Sequence, residues 1–534
     1  MSAAPEAQAS AAAPVAWHRR PAIELAAIAV LGALQTVAFV ASDLWPLQLV
    51  AIALLAWRVG RARSLRRAAA LGFAFATAWI CAATWWLFVS MHRYGGLAAP
   101  LAALAVLALA AFLALYFAAA MAIVAKLRPR SPARSAVCFA AAWLLAELAR
   151  AILFTGFPWA ATGYAHVDSP LAGFAPWLGV YGIGALAAGL AARFGFADLR
   201  RARNWIAPAA ALAVALIAGA LLGSVDFSSP TRTLTVSLLQ GNVPQQEKFE
   251  PAYLAEGLAA TAQQIQAARG ELVVGPETVI PVMPDELDEA WWHGLLERFR
   301  VPGRAAILGI PLGDAAHGYT NSAIGISAES SVLPEGFYRY DKHHLVPFGE
   351  FVPNGFHWFT EMMNIPLGDF ERGPLAAPSF DVGGERVAPN ICYEDLFGEE
   401  LAARFVPESA APTILANISN IGWFGKTIAV EQHLRISRMR SLELQRPMIR
   451  ATNTGATVVI DHRGAVTHSL PPFTVGILEG SVEGRQGLTP FAVWAGHLGL
   501  WPLALAALAL LFAVRRPRDA APPSPPVEAP VVLP

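Results

Sequence analysis

Long apolar runs, separated by short polar connections, dominate the first 225 residues of the chain. Such runs predict membrane-spanning helices when they are long enough to cross about 30 Å of hydrocarbon. Eight runs qualify, the last of them near the other end of the chain: 21–41, 45–59, 68–91, 97–126, 135–154, 172–197, 205–224 and 491–514. We therefore predict a multi-pass α-helical membrane domain of seven spans over 21–225 and an eighth span over 491–514.

A different pattern begins at residue 226 and continues to residue 490. Short runs of alternating or β-branched residues are broken by turns and by a few amphipathic helical stretches. Strands are predicted at 233–239, 271–274, 305–310, 321–327, 387–392, 412–417, 448–452 and 457–461, and helices at 252–269, from about 398, and at 428–445. Strands that alternate with helices are typical of a layered α/β domain.

Composition agrees with a membrane protein, because 55% of the 534 residues are hydrophobic and the mean hydropathy is +0.46. The formal net charge is zero, which argues against a nucleic-acid partner. The flanking segments 1–20 and 515–534 are rich in Ala, Ser and Pro, which predicts disordered tails.

Basic residues are concentrated in alternate connections between the predicted spans. They occur at 19–20, 58–67, 126–134, 200–203 and 515–518. Because cytoplasmic connections carry the excess of Lys and Arg, both termini are predicted to be cytoplasmic. Seven spans then place the α/β domain outside, which in a bacterium is the periplasmic side of the inner membrane.

Of the three cysteines, only Cys392 lies in the α/β domain, at the end of a predicted strand; Cys81 and Cys138 lie in predicted spans. A thiol without a disulfide partner in an oxidising compartment suggests chemistry. Glu277 and Lys342 also follow predicted strands. A carboxylate, an ammonium and a thiol suggest a nucleophilic cysteine with a general base and a cation that lowers the thiol pKa and stabilises an oxyanion.

Each of these residues also has a purely structural interpretation. Cys392 could be buried packing, Glu277 a turn cap and Lys342 a solvated surface lysine. The adjacent His343 and His344 lack the spacing of metal ligands, so no metal site is predicted. Within the spans, Glu147 and Arg150 share a helix face, which favours a structural ion pair over contact with a lipid headgroup.

Several segments resemble, in the same order, those of the apolipoprotein N-acyltransferases, a bacterial inner-membrane family with a nitrilase-superfamily domain. The matching segments are Trp143–Glu147, Thr155–Trp159, Gly163–Tyr164, Gln240–Gln245, Pro276–Thr278, Tyr340–Glu350, Ile391–Glu394, Asn417–Asn420, Trp423–Gly425, Glu431–Leu434 and Arg450–Gly455. The resemblance implies a nitrilase-like α-β-β-α sandwich attached to eight membrane helices, with no cofactor and no metal. Departures from the family pattern are Phe249, where tryptophan is frequent, Ile421, where aspartate is usual, and Thr427–Val430, which lacks the usual small residues and proline.

The resemblance also implies roles for individual residues. Glu277 would be the general base, Lys342 the oxyanion-stabilising cation and Cys392 the nucleophile. The supporting residues would be Glu350, Tyr393 and Glu394. The reaction would be ping-pong: an acyl chain moves from a phospholipid, preferably phosphatidylethanolamine, to the thiol and then to the N-terminal amine of a diacylated apolipoprotein.

Aromatic residues near these segments are candidates for substrate binding. They are Phe249, Phe356, Trp358, Trp423 and Phe424. The apolar segment 351–370 is interpreted either as a loop that dips toward lipid or as a buried helix, and the sequence leaves both open. A membrane-tethered nitrilase-like amidase is the alternative function. A transporter is disfavoured, because the spans carry few central charges of the kind that form substrate sites.

Overall fold

The computed structural model describes residues 21–127, 129, 131–353, 355–356 and 369–515. Outside the described residues lie the predicted tail 1–20, the predicted tail 515–534 except Arg515, most of the segment 351–370, and the candidate residue Trp358. Residues Pro353, Gly355 and Phe356 are described at the edge of that segment.

The N-terminal region is a bundle of seven long apolar helices. They are α1 (Pro21–Leu34), α2 (Trp45–Gly60), α3 (Leu65–Thr84), α4 (Ala99–Leu127), α5 (Pro132–Ile152), α6 (Ala175–Gly195) and α7 (Arg203–Leu222). With their short helical extensions, all seven are long and apolar enough to cross a membrane. The prediction of a multi-pass helical membrane domain is confirmed.

The following region contains two six-stranded sheets. Its strands are β1 (Ser229–Gln240), β2 (Leu272–Val274), β3 (Ala305–Asp314), β4 (Gly318–Ser327), β5 (Tyr338–Asp341), β6 (Phe380–Val382), β7 (Glu385–Ile391), β8 (Ile414–Ser419), β9 (Met448–Thr452), β10 (Thr457–Ile460), β11 (Val466–Leu470) and β12 (Gly476–Gln486). The first sheet has the order β12-β1-β2-β3-β4-β5 and the second β11-β10-β9-β8-β7-β6. The neighbours β1, β2 and β3 are parallel, as are β7, β8 and β9.

The two sheets pack face to face and carry helices on their outer sides. Val236 of the first sheet and Ile391 of the second belong to one buried apolar cluster between the sheets. Helices α8 (Pro251–Ala267) and α9 (Glu289–Phe299) cover the first sheet, and α10 (Gly398–Ala403) and α11 (Ala429–Leu444) lie on the other side, next to the second. This α-β-β-α sandwich confirms the predicted fold class.

The predicted span 491–514 is two helices rather than one. Helix α12 (Pro490–Leu498) and helix α13 (Trp501–Ala513) meet at 93°. The break falls at Gly499, whose φ of +57° is a conformation that glycine adopts without steric cost. Helix α13 alone rises about 20 Å, which is shorter than the hydrocarbon core.

The sandwich and the membrane helices share a core. Tyr393 and Phe397, which follow β7, and Ile436 and Met439 of α11 are buried in the same apolar cluster as the membrane helices. The end of β7 is thus fixed directly against the membrane domain. The predicted ion pair of Glu147 and Arg150 is confirmed: Oε2 and Nη2 lie 2.8 Å apart and both side chains are buried.

Candidate active site

The candidate nucleophile lies on a tight turn at the end of a buried strand. Cys392 follows β7 directly and has a φ of +53°, in the left-handed region that non-glycine residues rarely occupy. Such strain costs about 1–3 kcal/mol and concentrates at functional sites, where the surrounding structure maintains it. Cys392 is partly buried against the apolar cluster between the sheets, and Ile391 before it is fully buried.

Glu394 is the residue that holds this turn. One carboxylate oxygen accepts hydrogen bonds from the backbone N–H of Ile391 at 2.6 Å and the hydroxyl of Tyr340 at 2.8 Å. The other accepts from the backbone N–H groups of His343 at 2.7 Å and His344 at 3.2 Å. Glu394 therefore ties the turn at Cys392 to the chain that leaves β5. These hydrogen bonds agree with the predicted supporting role of Glu394. The carboxylate positions the turn and does not itself contact a reacting atom.

Glu277, Lys342 and Glu350 form one buried cluster, in which Glu277 follows β2, Lys342 follows β5 and Glu350 lies in the loop after β5. The ammonium of Lys342 lies 2.8 Å from Oε1 of Glu350 and 3.4 Å from Oε1 of Glu277. Asn321, on β4, donates its amide to both carboxylates, at 2.8 Å to Glu277 and 2.6 Å to Glu350. The second oxygen of Glu277 accepts from the backbone N–H of Asn420 at 2.8 Å, so residues of both sheets meet at this carboxylate.

A glycine on the neighbouring strand allows the turn at Glu277. A Cβ on Gly309 would lie 2.6 Å from the carbonyl oxygen of Pro276 and 2.8 Å from Cα of Glu277. Thr278, the next residue, has a φ of +51°. The turn after β2 therefore packs tightly against β3, which fixes the direction of the Glu277 side chain.

The charges of this cluster act on one another. Burial lowers the pKa of Lys342, but the carboxylates of Glu350 and Glu277 outweigh it and raise that pKa, so the ammonium stays charged. Burial, together with Glu277, raises the pKa of the Cys392 thiol, and Lys342 only partly opposes this. Lys342 lowers the thiol pKa in the expected direction, but burial and Glu277 outweigh it, so the resting Cys392 is a thiol whose proton has to be transferred to a base.

A histidine near the nucleophile is unable to be that base. The Nδ1 of His433 accepts a hydrogen bond from Arg450 at 2.7 Å, so the ring proton is on Nε2, which donates to the carbonyl of Cys392 at 3.2 Å. Burial and the neighbouring Arg450 hold the pKa of His433 well below its usual value. His433 thus braces the backbone of the turn as a neutral ring, and the carboxylate of Glu277 is the candidate base.

Two residues of the site have no role in the sequence-based prediction. Asn321 joins the two carboxylates, as described above. Lys248 is 7% exposed and donates its ammonium to the backbone carbonyl of Glu277 at 2.8 Å. Burial lowers the pKa of Lys248 to about 8, against the opposing effect of Glu277. Its only sequence signal is its position beside Phe249, close to the Gln240–Gln245 motif.

The predicted aromatic residues lie in three different surroundings. Trp423 contacts Tyr94, with ring centroids 5.6 Å apart, and Phe424 contacts Trp86 at 4.2 Å. Both therefore lie against the segment that follows α3. Phe249 is 45% exposed beside the site, and Phe356, also 45% exposed, packs against Phe348 at the edge of the described part of 351–370.

Tyr393 points away from the carboxylate cluster. Its hydroxyl donates to the carbonyl of Gly156 in the membrane domain at 3.0 Å, and its ring packs near Phe157 and Phe397. Tyr393 thus attaches the turn that carries Cys392 to the membrane domain. Among the described residues, no group of three or more His, Cys, Asp or Glu side chains is arranged to hold a metal ion.

Comparisons with known proteins agree on both regions of the chain. Residues 31–193 match the family model described as apolipoprotein N-acyltransferase N-terminal domain, and residues 235–486 match that of carbon-nitrogen hydrolase. The apolipoprotein N-acyltransferase of Verminephrobacter eiseniae is 54% identical over 86% of this chain and 89% of its own. That of Ralstonia nicotianae is 47% identical over 91% and 93%. A carbon-nitrogen hydrolase structure from Helicobacter pylori covers 51% of this chain and 94% of its own at 16% identity and a TM-score of 0.33.

Proposed function

The chain belongs to the apolipoprotein N-acyltransferase family, and on that premise we propose that Cys392 carries the acyl group between a phospholipid and an apolipoprotein amine. The chain is a multi-pass membrane acyltransferase. The proposal concerns how its residues perform the transfer, and it assigns the chemistry to the domain formed by residues 226–490.

In the first half-reaction, the thiol attacks the ester carbonyl of a phospholipid, with phosphatidylethanolamine as the preferred donor. Glu277 accepts the thiol proton as the carbon–sulfur bond forms, and the ammonium of Lys342 stabilises the oxyanion of the tetrahedral intermediate. When the carbon–oxygen bond breaks, Glu277 returns the proton to the leaving alcohol. The products are a lysophospholipid and a thioester on Cys392.

In the second half-reaction, the N-terminal amine of an S-diacylglyceryl-cysteine apolipoprotein attacks the thioester. The carbon–nitrogen bond forms, Lys342 stabilises the oxyanion of this second tetrahedral intermediate, and Glu277 accepts a proton from the attacking nitrogen. When the intermediate collapses, the carbon–sulfur bond breaks and Glu277 passes the proton to the departing sulfur, which leaves the amide product and the protonated thiol. Each half-reaction therefore uses one base and one cation, and no other charged species has to enter.

One observation carries this proposal: the Lys342 ammonium lies between two carboxylates, 2.8 Å from Glu350 and 3.4 Å from Glu277. Lys342 also interacts electrostatically with the Cys392 thiol. With Glu350 as the closer counterion, Lys342 keeps its charge while Glu277 remains available for proton transfer. A cysteine that only packs in the core does not require an ammonium placed between two carboxylates beside it.

The position of the turn supports a lipid donor. Residues just after Cys392 are buried in the same cluster as the membrane helices. The turn that carries the thiol therefore lies against the helix bundle and not on the side of the domain that faces away from it. A soluble enzyme would have to extract each acyl chain at about 0.8 kcal/mol per CH₂. Because Lys and Arg are concentrated in alternate connections between the membrane helices, we further propose that both termini are cytoplasmic and that the catalytic domain is periplasmic.

The alternative is a membrane-tethered amidase, and it is favoured by the carbon-nitrogen hydrolase match over 235–486. The experiment that separates them uses purified protein, phospholipid with a labelled acyl chain, and a synthetic diacylated lipopeptide. Acyl transfer predicts a labelled N-acyl lipopeptide and little free fatty acid. Release of free fatty acid at the same rate with or without lipopeptide contradicts acyl transfer and supports hydrolysis.

A matched pair of cysteine substitutions controls this experiment. Cys392→Ala should give neither labelled protein nor labelled lipopeptide. Cys81→Ser, which changes a partly buried thiol in α3, should retain both. Loss of labelled lipopeptide in both variants would point to damage of the fold instead of loss of the nucleophile.

A further inference from the structure

A buried hydrogen-bond network connects the backbone carbonyl of Cys392 with a carboxylate three residues further along the same turn. Its members are His433 and Ser437 of α11, Arg450 of β9, and Asp395, and all four side chains are fully buried. Nη2 of Arg450 donates to Nδ1 of His433 at 2.7 Å, and Nε2 of His433 donates to the carbonyl of Cys392 at 3.2 Å. These four residues are called the Arg450 network below.

The other side of the guanidinium leads back to the same turn. Nη1 of Arg450 donates to the hydroxyl of Ser437, which in turn donates to Oδ2 of Asp395. Nη1 also lies 3.7 Å from that carboxylate oxygen, so Asp395 is the counterion that a buried arginine requires. Both ends of the Arg450 network therefore lie on the turn Cys392–Leu396, and a displacement of the guanidinium disturbs this turn at two points.

Arg450 determines which nitrogen of His433 carries the proton. A guanidinium has only N–H donors and no acceptor, so the imidazole nitrogen that faces it has to be unprotonated. In the other tautomer, Nδ1–H would face the N–H of Arg450, and the lone pair of Nε2 would face the carbonyl oxygen of Cys392. Both of these contacts would be repulsive. The contact with Arg450 thus makes His433 a hydrogen-bond donor to the turn.

The carbonyl that His433 holds belongs to the strained residue itself. Cys392 has a φ of +53°, and its backbone before the N–Cα bond is fixed by strand β7 and by the hydrogen bond from Ile391 to Glu394. A change of φ rotates the carbonyl and the side chain of Cys392 together about the N–Cα bond. A donor that fixes the carbonyl therefore also fixes the direction of the thiol. The amide of Asn417 is a second donor to this carbonyl, at the longer distance of 3.4 Å.

The direction of the thiol matters because its charged neighbours belong to the other sheet. Glu277 and Lys342 follow strands of the first sheet, and both interact electrostatically with the thiol of Cys392. Proton transfer and nucleophilic attack require aligned groups, and a displacement of about 1 Å costs about 100-fold in rate. A relaxed φ at Cys392 would turn the sulfur away from both groups without unfolding the domain.

We propose that Arg450 is a positioning residue for the nucleophile: through His433 it fixes the carbonyl of Cys392 and so keeps the thiol directed at Glu277 and Lys342. Asp395 and Ser437 hold the guanidinium in place. The inference rests on the proposed role of Cys392 as the nucleophile. It assigns no contact between the Arg450 network and a substrate.

The first test measures acyl transfer by the full chain in detergent. Arg450→Met and His433→Leu should each lower kcat by about 100-fold with little change in KM. His433→Gln should retain most of the native kcat, because glutamine offers an N–H for the carbonyl and an oxygen for the guanidinium. The double change Arg450→Met with His433→Leu should lose no more than either single change, since both break one connection.

A second buried arginine is the matched control. Arg446 is 1% exposed and donates to the carbonyl of Pro412, away from the turn. Arg446→Met should lower the Tm and keep kcat. Equal loss of kcat in Arg446→Met and Arg450→Met overturns the proposal, as does a double change whose losses multiply. If Arg450→Met does not fold, the contrast between His433→Leu and His433→Gln decides, and equal kcat in these two overturns the proposal.

The second test needs no acyl donor, so it separates this inference from the proposed function. The pH dependence of Cys392 alkylation by N-ethylmaleimide, followed by mass spectrometry of the Cys392 peptide, reports the thiol pKa. Glu277→Gln should move this dependence to lower pH by about one pH unit in the native protein and in Arg446→Met, because a nearby negative charge is removed. In Arg450→Met it should cause no such change, since the thiol no longer faces that carboxylate.

The two tests together distinguish the possible failures. An equal effect of Glu277→Gln in the native protein and in Arg450→Met overturns the role of Arg450, whatever the protein transfers. If the native protein transfers no acyl group and the alkylation results are as expected, the proposed function is wrong and the role of Arg450 in positioning Cys392 is supported.

Discussion

Lys342 forms a shorter ion pair with Glu350 than with Glu277, at 2.8 Å and 3.4 Å between Nζ and the carboxylate oxygens. All three side chains are at least nine-tenths buried. The lysine therefore has one close counterion and one more distant carboxylate. Because Glu350 is the closer counterion, Lys342 stays charged and Glu277 is still able to accept a proton.

Changing Glu350→Gln should reduce kcat by about 100-fold, comparable to the loss of one oxyanion-stabilising group. The amide keeps a hydrogen-bond acceptor but removes the charge that holds Lys342, which would then pair more closely with Glu277 and weaken the base. KM should change little. Steady-state kinetics with the exposed control Glu335→Gln would measure this, and equal kcat in both variants would contradict the role of Glu350.

The titration of Cys392 should start only above the range of an ordinary cysteine. An unperturbed cysteine has a pKa of about 8.5. Burial and Glu277 raise the pKa of the thiol, so no thiolate is expected at neutral pH. The difference in ultraviolet thiolate absorbance between the native protein and Cys392→Ala measures it. Glu277→Gln should move the titration to lower pH and Lys342→Met to higher pH; a thiolate signal at pH 7 in the native protein would refute the assignment of Glu277 as the required base.

Lys248 should make the activity sensitive to alkaline pH. Its ammonium is charged below its pKa of about 8 and neutral above it, so kcat should decline as the pH rises through that value. Lys248→Arg keeps the charge and should move the decline to higher pH, whereas Lys248→Met should lower kcat by about tenfold, as for the loss of a charge-assisted hydrogen bond. Identical pH profiles for the native and arginine forms would exclude Lys248 as the source of the decline.

The buried pair in the membrane domain should contribute to stability. Arg150 contacts Glu147 at 2.8 Å and also donates to the carbonyl groups of Phe157 and Trp159. Arg150→Met leaves the buried carboxylate of Glu147 with its hydrogen bonds from Thr162 but without a counterion, and the loss of one partner of a buried ion pair costs about 3–5 kcal/mol. Thermal unfolding in detergent should show a lower Tm for this single change than for the double change Arg150→Met with Glu147→Gln. If the double variant is no more stable than the single one, charge pairing between Arg150 and Glu147 is not the main contribution of Arg150 to stability.

The hydrophobic pattern was sufficient to predict the long apolar helices and the strands that are buried along their whole length. The seven long helices and the buried strands β2, β7, β8 and β9 lie close to their predicted positions. Strands β5 and β12 were not predicted, because β5 is short and polar and β12 carries charges such as Glu479 and Glu483 on an edge strand. The break at Gly499 was missed because the apolar composition continues across it.

The sequence identified the three candidate catalytic residues by their resemblance to a family, but their convergence is a property of the fold. Glu277 and Lys342 follow strands of the first sheet, and Cys392 follows a strand of the second. Which strand ends meet depends on how the sheets pack, and no local pattern encodes that. Asn321 and Lys248 went unrecognised for the same reason, since each acquires its role only through contact with distant side chains.

The central claim is that the acyl chain is held as a thioester on Cys392, and peptide mass spectrometry after incubation with phospholipid alone tests it most directly. The account predicts that the peptide containing Cys392 gains the mass of one acyl chain, that neutral hydroxylamine removes it, and that added diacylated lipopeptide discharges it. An unmodified Cys392 peptide in protein that nevertheless produces N-acylated lipopeptide would contradict the account.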